Sequence, residues 1–307
     1  MLSVLIPVYN VNVHPLVSEL GPQLLACGED FEILIEDDAS SDESVRHHNS
    51  LLDEMDHITY IGHTENLGRS KTRNLLAERA KFPYLLFIDC DARVKRKNYI
   101  ADYLNYIREK QTEGQPFAVS GGLSYRVIIP KRGQRLRYKY GLYREVRPAA
   151  IRNRHPFQNF TPFNLLISKS VFETCRFDES LTNYGYEDTF FGLDLEAQGV
   201  PVRHIDNELY HDGLDDNRDF LRKTTDSVQN LYKLYQSGRV DDRFREQSRL
   251  LQTWERLHAK RNGKIIFKTL RLLKNPISNL VLRHNSLKAL DLYKLVLFDG
   301  LIGGQGE

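Results

Sequence analysis

Leu85-Leu86-Phe87-Ile88 runs straight into Asp89-Cys90-Asp91, so a buried strand ends in two carboxylates spaced by two. On an extended backbone alternate side chains share a face, which would project Asp89 and Asp91 together and turn Cys90 away. Adjacent acids repel unless a cation lies between them. A divalent ion with oxygen ligands, its shell completed by a diphosphate, is one solution; a solvated acid pair in a turn is the plainer one. Three other clusters hold groups able to do chemistry: Pro7-Val8-Tyr9-Asn10, Glu36-Asp37-Asp38 and Glu187-Asp188. Arg69, Lys71 and Arg73 add cations at the start of a predicted helix, where free N–H groups and the helix dipole favour anions.

The elements that must position these groups alternate. Val4-Leu5-Ile6 reads as a short strand ended by Pro7, followed by a helical pattern over Leu16–Cys27 that Gly21-Pro22 is expected to break. Phe31–Ile35 is a second strand, and Ser41 or Asp42 caps a helix from Ser44 to Met55. Ile58–Ile61 is a third strand, Ser70 caps a helix over Lys71–Ala80, and Tyr84–Ile88 is the fourth strand. Strands separated by helices predict βαβ units and a mostly parallel α/β sheet covered on both faces. Ligands of such sheets bind beyond the carboxyl ends of the strands, where the first three polar clusters converge. From Phe117 to about Gly213 the pattern is irregular, apart from strand Ala118–Ser120 and a helix over Glu187–Ala197. Beyond Asp215 helices are expected over Phe220–Tyr235, Arg243–Lys260, Ile265–Lys274 and Leu287–Phe298.

Taken in order, Ser3 to Asn10, Ile35 to Asp42, Asn66-Leu67-Gly68, Asp89-Cys90-Asp91, Phe177 to Leu181 and Gly185 to Asp188 resemble the motifs of the family 2 glycosyltransferases. The resemblance covers roughly residues 1–215. It implies a GT-A fold catalytic domain over residues 1–215; the helical, basic pattern beyond it is read as a C-terminal extension over 216–307 that either meets a membrane or a partner or packs on the catalytic domain. Ala39 stands where the family usually has Gly. Carried over by position, the resemblance implies that Pro7, Tyr9, Asp38, Arg73 and Asp89 bind the nucleotide. Tyr9 would pack on the base, Asp38 accept its N–H in a way that favours uracil, and Asp89 contact the ribose. Asp91, with His211 as a further ligand or diphosphate contact, would hold Mn²⁺ or Mg²⁺. Asp188 would be the general base, and Glu187 would bind the acceptor or donor sugar. Capping of a helix dipole alone also explains acids at 187 and 188.

The implied activity is metal-dependent, inverting transfer from a nucleotide-diphosphate sugar, with a UDP-sugar expected, to a saccharide or lipid-linked hydroxyl in surface polysaccharide or glycan synthesis. The competing readings are a sugar-1-phosphate nucleotidyltransferase and a non-catalytic nucleotide-sugar-binding scaffold. The first would need a Gly- and Arg-rich loop after the first strand, which Pro7 to Val11 is not.

Composition bounds the rest. Hydrophobic content of 41% and charged content of 27% are those of a globular protein. Cys27, Cys90 and Cys175 are scattered and odd in number, as in a reducing compartment. No apolar run reaches the ~20 residues of a membrane span, and the N-terminus lacks a signal-like core, so a cytoplasmic protein is expected, with peripheral attachment to the inner membrane face open. The formal charge of +2 is uneven. Arg126–Arg154 holds ten Lys or Arg against Glu145, and Lys260–Lys294 holds nine against Asp291. Such runs suit phosphates or an anionic membrane. Tyr125, Tyr138, Tyr140 and Tyr143 interleave the first run as an acceptor lid would. No nucleic-acid module accompanies either run, and nucleic-acid binding is not expected.

Overall fold

A computed structural model describes residues 1–158 and 160–303. The chain divides into two compact units. The first comprises Met1–Arg126, Val146–Thr182 and Glu187–Gly213; the second comprises Val127–Glu145, Asn183–Tyr186 and the chain from Leu214 onward.

The first unit is built on strands β1 (Leu2–Val8), β2 (Phe31–Asp37), β3 (Ile58–Gly62), β4 (Tyr84–Ile88), β5 (Ala92–Arg93), β6 (Ala118–Ser120), β7 (Leu123–Ser124), β8 (Asn164–Ser168), β9 (Val202–His204) and β10 (Leu209–His211). Its helices are α1 (His14–Ala26), α2 (Glu43–Ser50), α3 (Arg69–Arg79), α4 (Tyr99–Gln111) and α5 (Glu187–Ala197). Seven strands form one sheet in the order β3-β2-β1-β4-β8-β6-β9, with β8 antiparallel to both neighbours. The mixed, mostly parallel α/β sheet expected from the sequence is borne out.

Period-two geometry explains the apolar runs. Val4, Ile6, Leu86, Ile88 and Leu166 fill one core, whereas Leu5, Leu85, Phe87, Leu165 and Ile167 fill another. Both faces of the sheet are therefore buried, as a parallel sheet requires. Strand order reverses between β1 and β4, and the crevice beyond their carboxyl ends is the switch point. A second sheet, β5-β10-β7, sets His211 opposite Ala92.

Two breaks expected at prolines do not occur. β1 continues through Pro7 to Val8 because its ladder to β4 has already ended at Leu5. α1 continues through Pro22, since Gly21 presents no β-carbon to the Pro ring and Leu16, Val17, Leu20 and Leu24 stay buried along one face.

The second unit is helical: α6 (Asn217–Gln236), α7 (Asp242–Gln247), α8 (Arg249–His258), α9 (Gly263–Leu272), α10 (Lys274–His284) and α11 (Leu287–Gly303), preceded by a short helix, Arg135–Tyr140. The single helix expected over Arg243–Lys260 is two, because extended Ser248 stops α7 and its hydroxyl caps α8 at Leu251 N–H. α10 was not expected from the sequence; its Pro276 falls in the first turn, where no N–H is needed. Among the described residues no helix is long and apolar enough to cross a membrane.

Candidate active site

The β1 and β2 ends are tied together by short polar bonds. Asn10, in the left-handed region (φ 55°), takes Ser40 Oγ on its N–H at 2.8 Å and accepts Asp42 N–H at 3.0 Å. Tyr9 before it leaves 48% of its surface exposed beside the crevice. Asp37 is buried and accepts Ser40 N–H and the Tyr60 hydroxyl at 2.7 and 2.8 Å. Asp38 is buried as well. Its Oδ1 accepts Leu67 N–H at 2.5 Å, its Oδ2 accepts Gly68 N–H at 3.0 Å, and its carbonyl accepts Asn66 Nδ2 at 2.9 Å. Burial raises its pKa, opposed by those two backbone bonds. Asp38 thus fixes the loop that starts α3. Ala39 adopts φ 58°, the left-handed conformation that makes Gly the ordinary residue there.

Helix α3 begins at Gly68 (φ 84°), not at a Ser70 cap. Its first turns reach the other clusters. Arg69 Nη1, on an exposed side chain, lies 3.5 Å from Oε1 of buried Glu187, a long contact. Arg73 is buried, and its Nη2 donates to Asp89 Oδ1 at 2.9 Å. The guanidinium sits 5.4 Å from the Phe177 ring centre, while its Nε and Nη1 have no hydrogen-bond partner among the described residues. Asn74 bonds both the N–H and the carbonyl of Phe177 and donates to Glu179, which pins the Phe177–Glu179 segment to α3.

Asp89, Cys90 and Asp91 do not lie on an extended backbone. Ala92 N–H bonds the Asp89 carbonyl at 3.0 Å and closes a turn. Asp89 thereby faces Arg73, while Asp91 Oδ2 stands 3.6 Å from His211 Nε2. Cys90 between them is half-buried, and desolvation together with the Asp91 and Asp89 charges pushes its thiol up to about 12 and keeps it protonated. The His211 ring is sandwiched between Tyr125 (5.5 Å, 28°) and Phe163 (5.3 Å, 19°). Gly213 closes the site: a β-carbon there would meet Asp91 Oδ2 at 2.0 Å.

Asp188 opens α5 and accepts Thr189 N–H on Oδ1 at 2.7 Å. Burial first, and then the neighbouring Glu187, push its carboxyl up to about 6, against the pull of Thr189 N–H and the Arg73 cation. A carboxylate poised near neutrality beside a crevice suits proton abstraction.

One α3 helix therefore contacts the β2 end, Asp89 and Glu187, whereas β10 brings His211 to Asp91. Pro7 lies inside β1, opposite Glu36, with no polar side chain of its own to offer. Sequence reasoning missed Gly213, Tyr125 and Phe163 around His211; the only sequence signal was the Gly two residues after it. Glu36, of the Glu36-Asp37-Asp38 cluster, is buried and bonds His63 Nε2 at 2.6 Å and Arg79 at 3.4 Å.

Asp91 and His211 offer an oxygen and a nitrogen donor, with a cleft kept clear of side chain at Gly213, a set that fits Mn²⁺ or Mg²⁺ when phosphate oxygens add the remaining ligands. Among the described residues no three His, Cys, Asp or Glu side chains form a self-sufficient metal site.

An open, mostly parallel sheet with acids gathered at its switch point is the arrangement of a GT-A transferase. The chain belongs to glycosyl transferase family 2, whose sequence profile matches residues 3–174, and it is a glycosyltransferase. An uncharacterized glycosyltransferase of Haemophilus influenzae is 27% identical over 95 residues, a stretch that covers 30% of this chain and only 36% of that relative. S. aureus TarS 1-349 matches in fold with a TM-score of 0.53 at 16% identity, over 99% of this chain and 92% of that one. The mannosyltransferase PcManGT from Pyrobaculum calidifontis, solved in complex with GDP-Man and Mn²⁺, matches with a TM-score of 0.54 at 14% identity, over 99% of this chain and 87% of that one. Membership of this family sets the nucleotidyltransferase reading aside.

Proposed function

We propose that residues 1–215 form the catalytic domain of a metal-dependent, inverting glycosyltransferase, with residues 216–307 as a helical extension. The observation that carries this reading is Arg73: one buried cation bonded to Asp89 and electrostatically felt by Asp188. It supports a single cleft shared by the donor-side and acceptor-side carboxylates.

In this reading the Tyr9 ring, exposed past β1, stacks on the base. Asp38 accepts the Leu67 and Gly68 N–H groups and the Thr72 hydroxyl, which leaves one of its four lone-pair sites for a base N–H and supports a uracil nucleotide. Pro7 shapes the strand end beneath the base. Asp89, held by Arg73, accepts from the ribose hydroxyls. Asp91 and His211 would hold Mn²⁺ or Mg²⁺, which when bound supplies charge neutralisation for the leaving diphosphate. Asp188 takes the proton from the acceptor hydroxyl, and Glu187 orients the acceptor or the donor sugar. A lone base opposite the leaving group gives one in-line displacement and inversion at the anomeric carbon. We further propose a saccharide or lipid-linked acceptor in surface polysaccharide or glycan synthesis, reached at an anionic membrane surface through the basic C-terminal helices.

The test is a donor panel. Purified protein with Mn²⁺ is offered UDP-, GDP- and dTDP-sugars, and release of each diphosphate is read. Preferential UDP release that disappears with a chelator supports the reading; equal rates with and without metal sink the metal role, and release of GDP or dTDP instead sinks the uracil assignment.

A further inference from the structure

The second unit carries a surface that its own core does not explain. Between Glu255 and Asp291 the sequence has no acidic residue. In that stretch α9 turns Phe267 inward, where it stacks on His258 at 5.3 Å, and α10 turns in Ile277 and Val281. The same two helices and the Leu273 junction between them expose Ile265 (68%), Ile266, Leu272 (82%), Leu273 and Leu280. Ile265, Thr269 and Leu272 share one helical face at i, i+4 and i+7, while Leu273 is the N-cap of α10 and Leu280 lies on that helix's flank beside buried Ile277. Lys268, Lys274 and Arg283 stand exposed among them.

This face is held in place from behind. Asp299 on α11 is fully buried and accepts Trp254 Nε1 at 3.1 Å, His258 Nε2 at 2.9 Å and Arg271 Nε at 2.6 Å. That latch fixes α8 and α9 against α11. It also pairs the charge of Arg271, while Lys268, Lys274 and Arg283 stand among the exposed cations of the described residues.

We infer that the outer face of α9–α10 docks on an anionic lipid surface, its leucines and isoleucines entering the headgroup–acyl boundary and its three cations meeting lipid phosphates. The inference rests on the peripheral-membrane reading above and gives it a location. Charge decides the occupant. A surface of one sign and mixed apolar character, spread over two successive helices, complements a laterally uniform anionic bilayer. A second copy of this chain would bring the same positive face against itself.

The full chain is sedimented with phosphatidylcholine vesicles, with and without phosphatidylglycerol, at low and high salt. Binding is expected only with phosphatidylglycerol and is weakened by salt. A Lys268→Glu/Lys274→Glu/Arg283→Glu variant is expected to partition on the order of 100-fold less, about fivefold for each cation removed. A separate Ile265→Ser/Ile266→Ser/Leu272→Ser variant should lose at least about tenfold at any salt. Both change exposed side chains, so circular dichroism and donor hydrolysis should match the parent. If the parent binds anionic vesicles and both variants bind equally well, this location is overturned while the membrane reading survives. A parent that binds no vesicles overturns both, and self-association abolished by the apolar variant would assign the face to a second copy instead.

Discussion

Arg73 Nη2 donates to Asp89 Oδ1 at 2.9 Å, and this single bond links α3 to the turn after β4. The helix start is already fixed by Asp38 through Leu67 and Gly68. Three sequence-distant acids are thereby referred to one rigid element. A buried arginine is costly unless its charge is answered, and here the answering groups are Asp89 and, at longer range, Asp188.

Removing that cation should act on the base. Arg73 favours the ionised form of Asp188, so Arg73→Met is expected to move the acid limb of kcat/KM above its parental position near pH 6. Arg73→Lys should keep more of the limb while still lowering activity, because the ammonium cannot reproduce the guanidinium geometry. Unchanged pH profiles in both variants would reduce Arg73 to a packing residue.

Asp188→Asn tests the base directly. Transfer should fall by about 10²–10⁴-fold while calorimetric donor binding persists. The stability sign follows from the raised pKa. The folded protein holds a proton that the unfolded chain releases between the usual carboxylate pKa and about 6, so the native acid costs stability as pH rises through that window. The Asn variant should therefore melt a few degrees higher at neutral pH, with the difference vanishing near pH 4.

Gly213 makes a steric prediction about the metal. Any β-carbon at that position meets Asp91 Oδ2 at 2.0 Å, so Gly213→Ala must displace the carboxylate. Mn²⁺ affinity, read by calorimetry in the presence of nucleoside diphosphate, should weaken by about tenfold or more. Parental Mn²⁺ affinity would remove Asp91 from the metal's surroundings.

Much of the first unit was legible because β1, β2 and β4 are apolar runs buried on both faces and each ends in polar residues, a pattern that needs no tertiary knowledge. The carboxylate geometry was less so. Period-two reasoning projected Asp89 and Asp91 together, yet the Asp89–Ala92 turn sends them to different partners, Arg73 and His211. β8 and β10 were invisible because antiparallel insertion and a register such as His211 opposite Ala92 are long-range pairings. Pro7 and Pro22 misled for one reason: each sits where the lost N–H or the ring clash is locally harmless.

Ala39 offers a test of local strain. At φ 58° its β-carbon costs roughly 1 kcal/mol, and Gly would relieve that while loosening the unfolded chain by about half as much. Ala39→Gly is thus expected to stabilise the protein by less than about 1 kcal/mol in urea melts, without loss of donor binding. A clear destabilisation would show that the Ala methyl packs usefully.

The last prediction concerns a buried histidine away from the crevice. His204 is 1% exposed; its Nδ1 accepts from Arg152 Nη1 at 2.7 Å and its Nε2 faces the Pro156 carbonyl at 2.9 Å. Arg152 can only donate, so the neutral Nε2–H tautomer satisfies both bonds. Burial lowers its pKa to about 4, and the Arg152 charge adds to that. With the folded pKa below the unfolded value, the unfolded chain binds the extra proton, and stability present above about pH 6.5 is lost as pH falls toward 4. The loss amounts to at most about 3 kcal/mol over that window. His204→Gln should start from lower stability at pH 7, since an amide cannot reproduce both bonds at that spacing, yet show a flatter fall between pH 6.5 and 4. Parallel stability-versus-pH curves for the two proteins would mean that some other group carries the acid sensitivity.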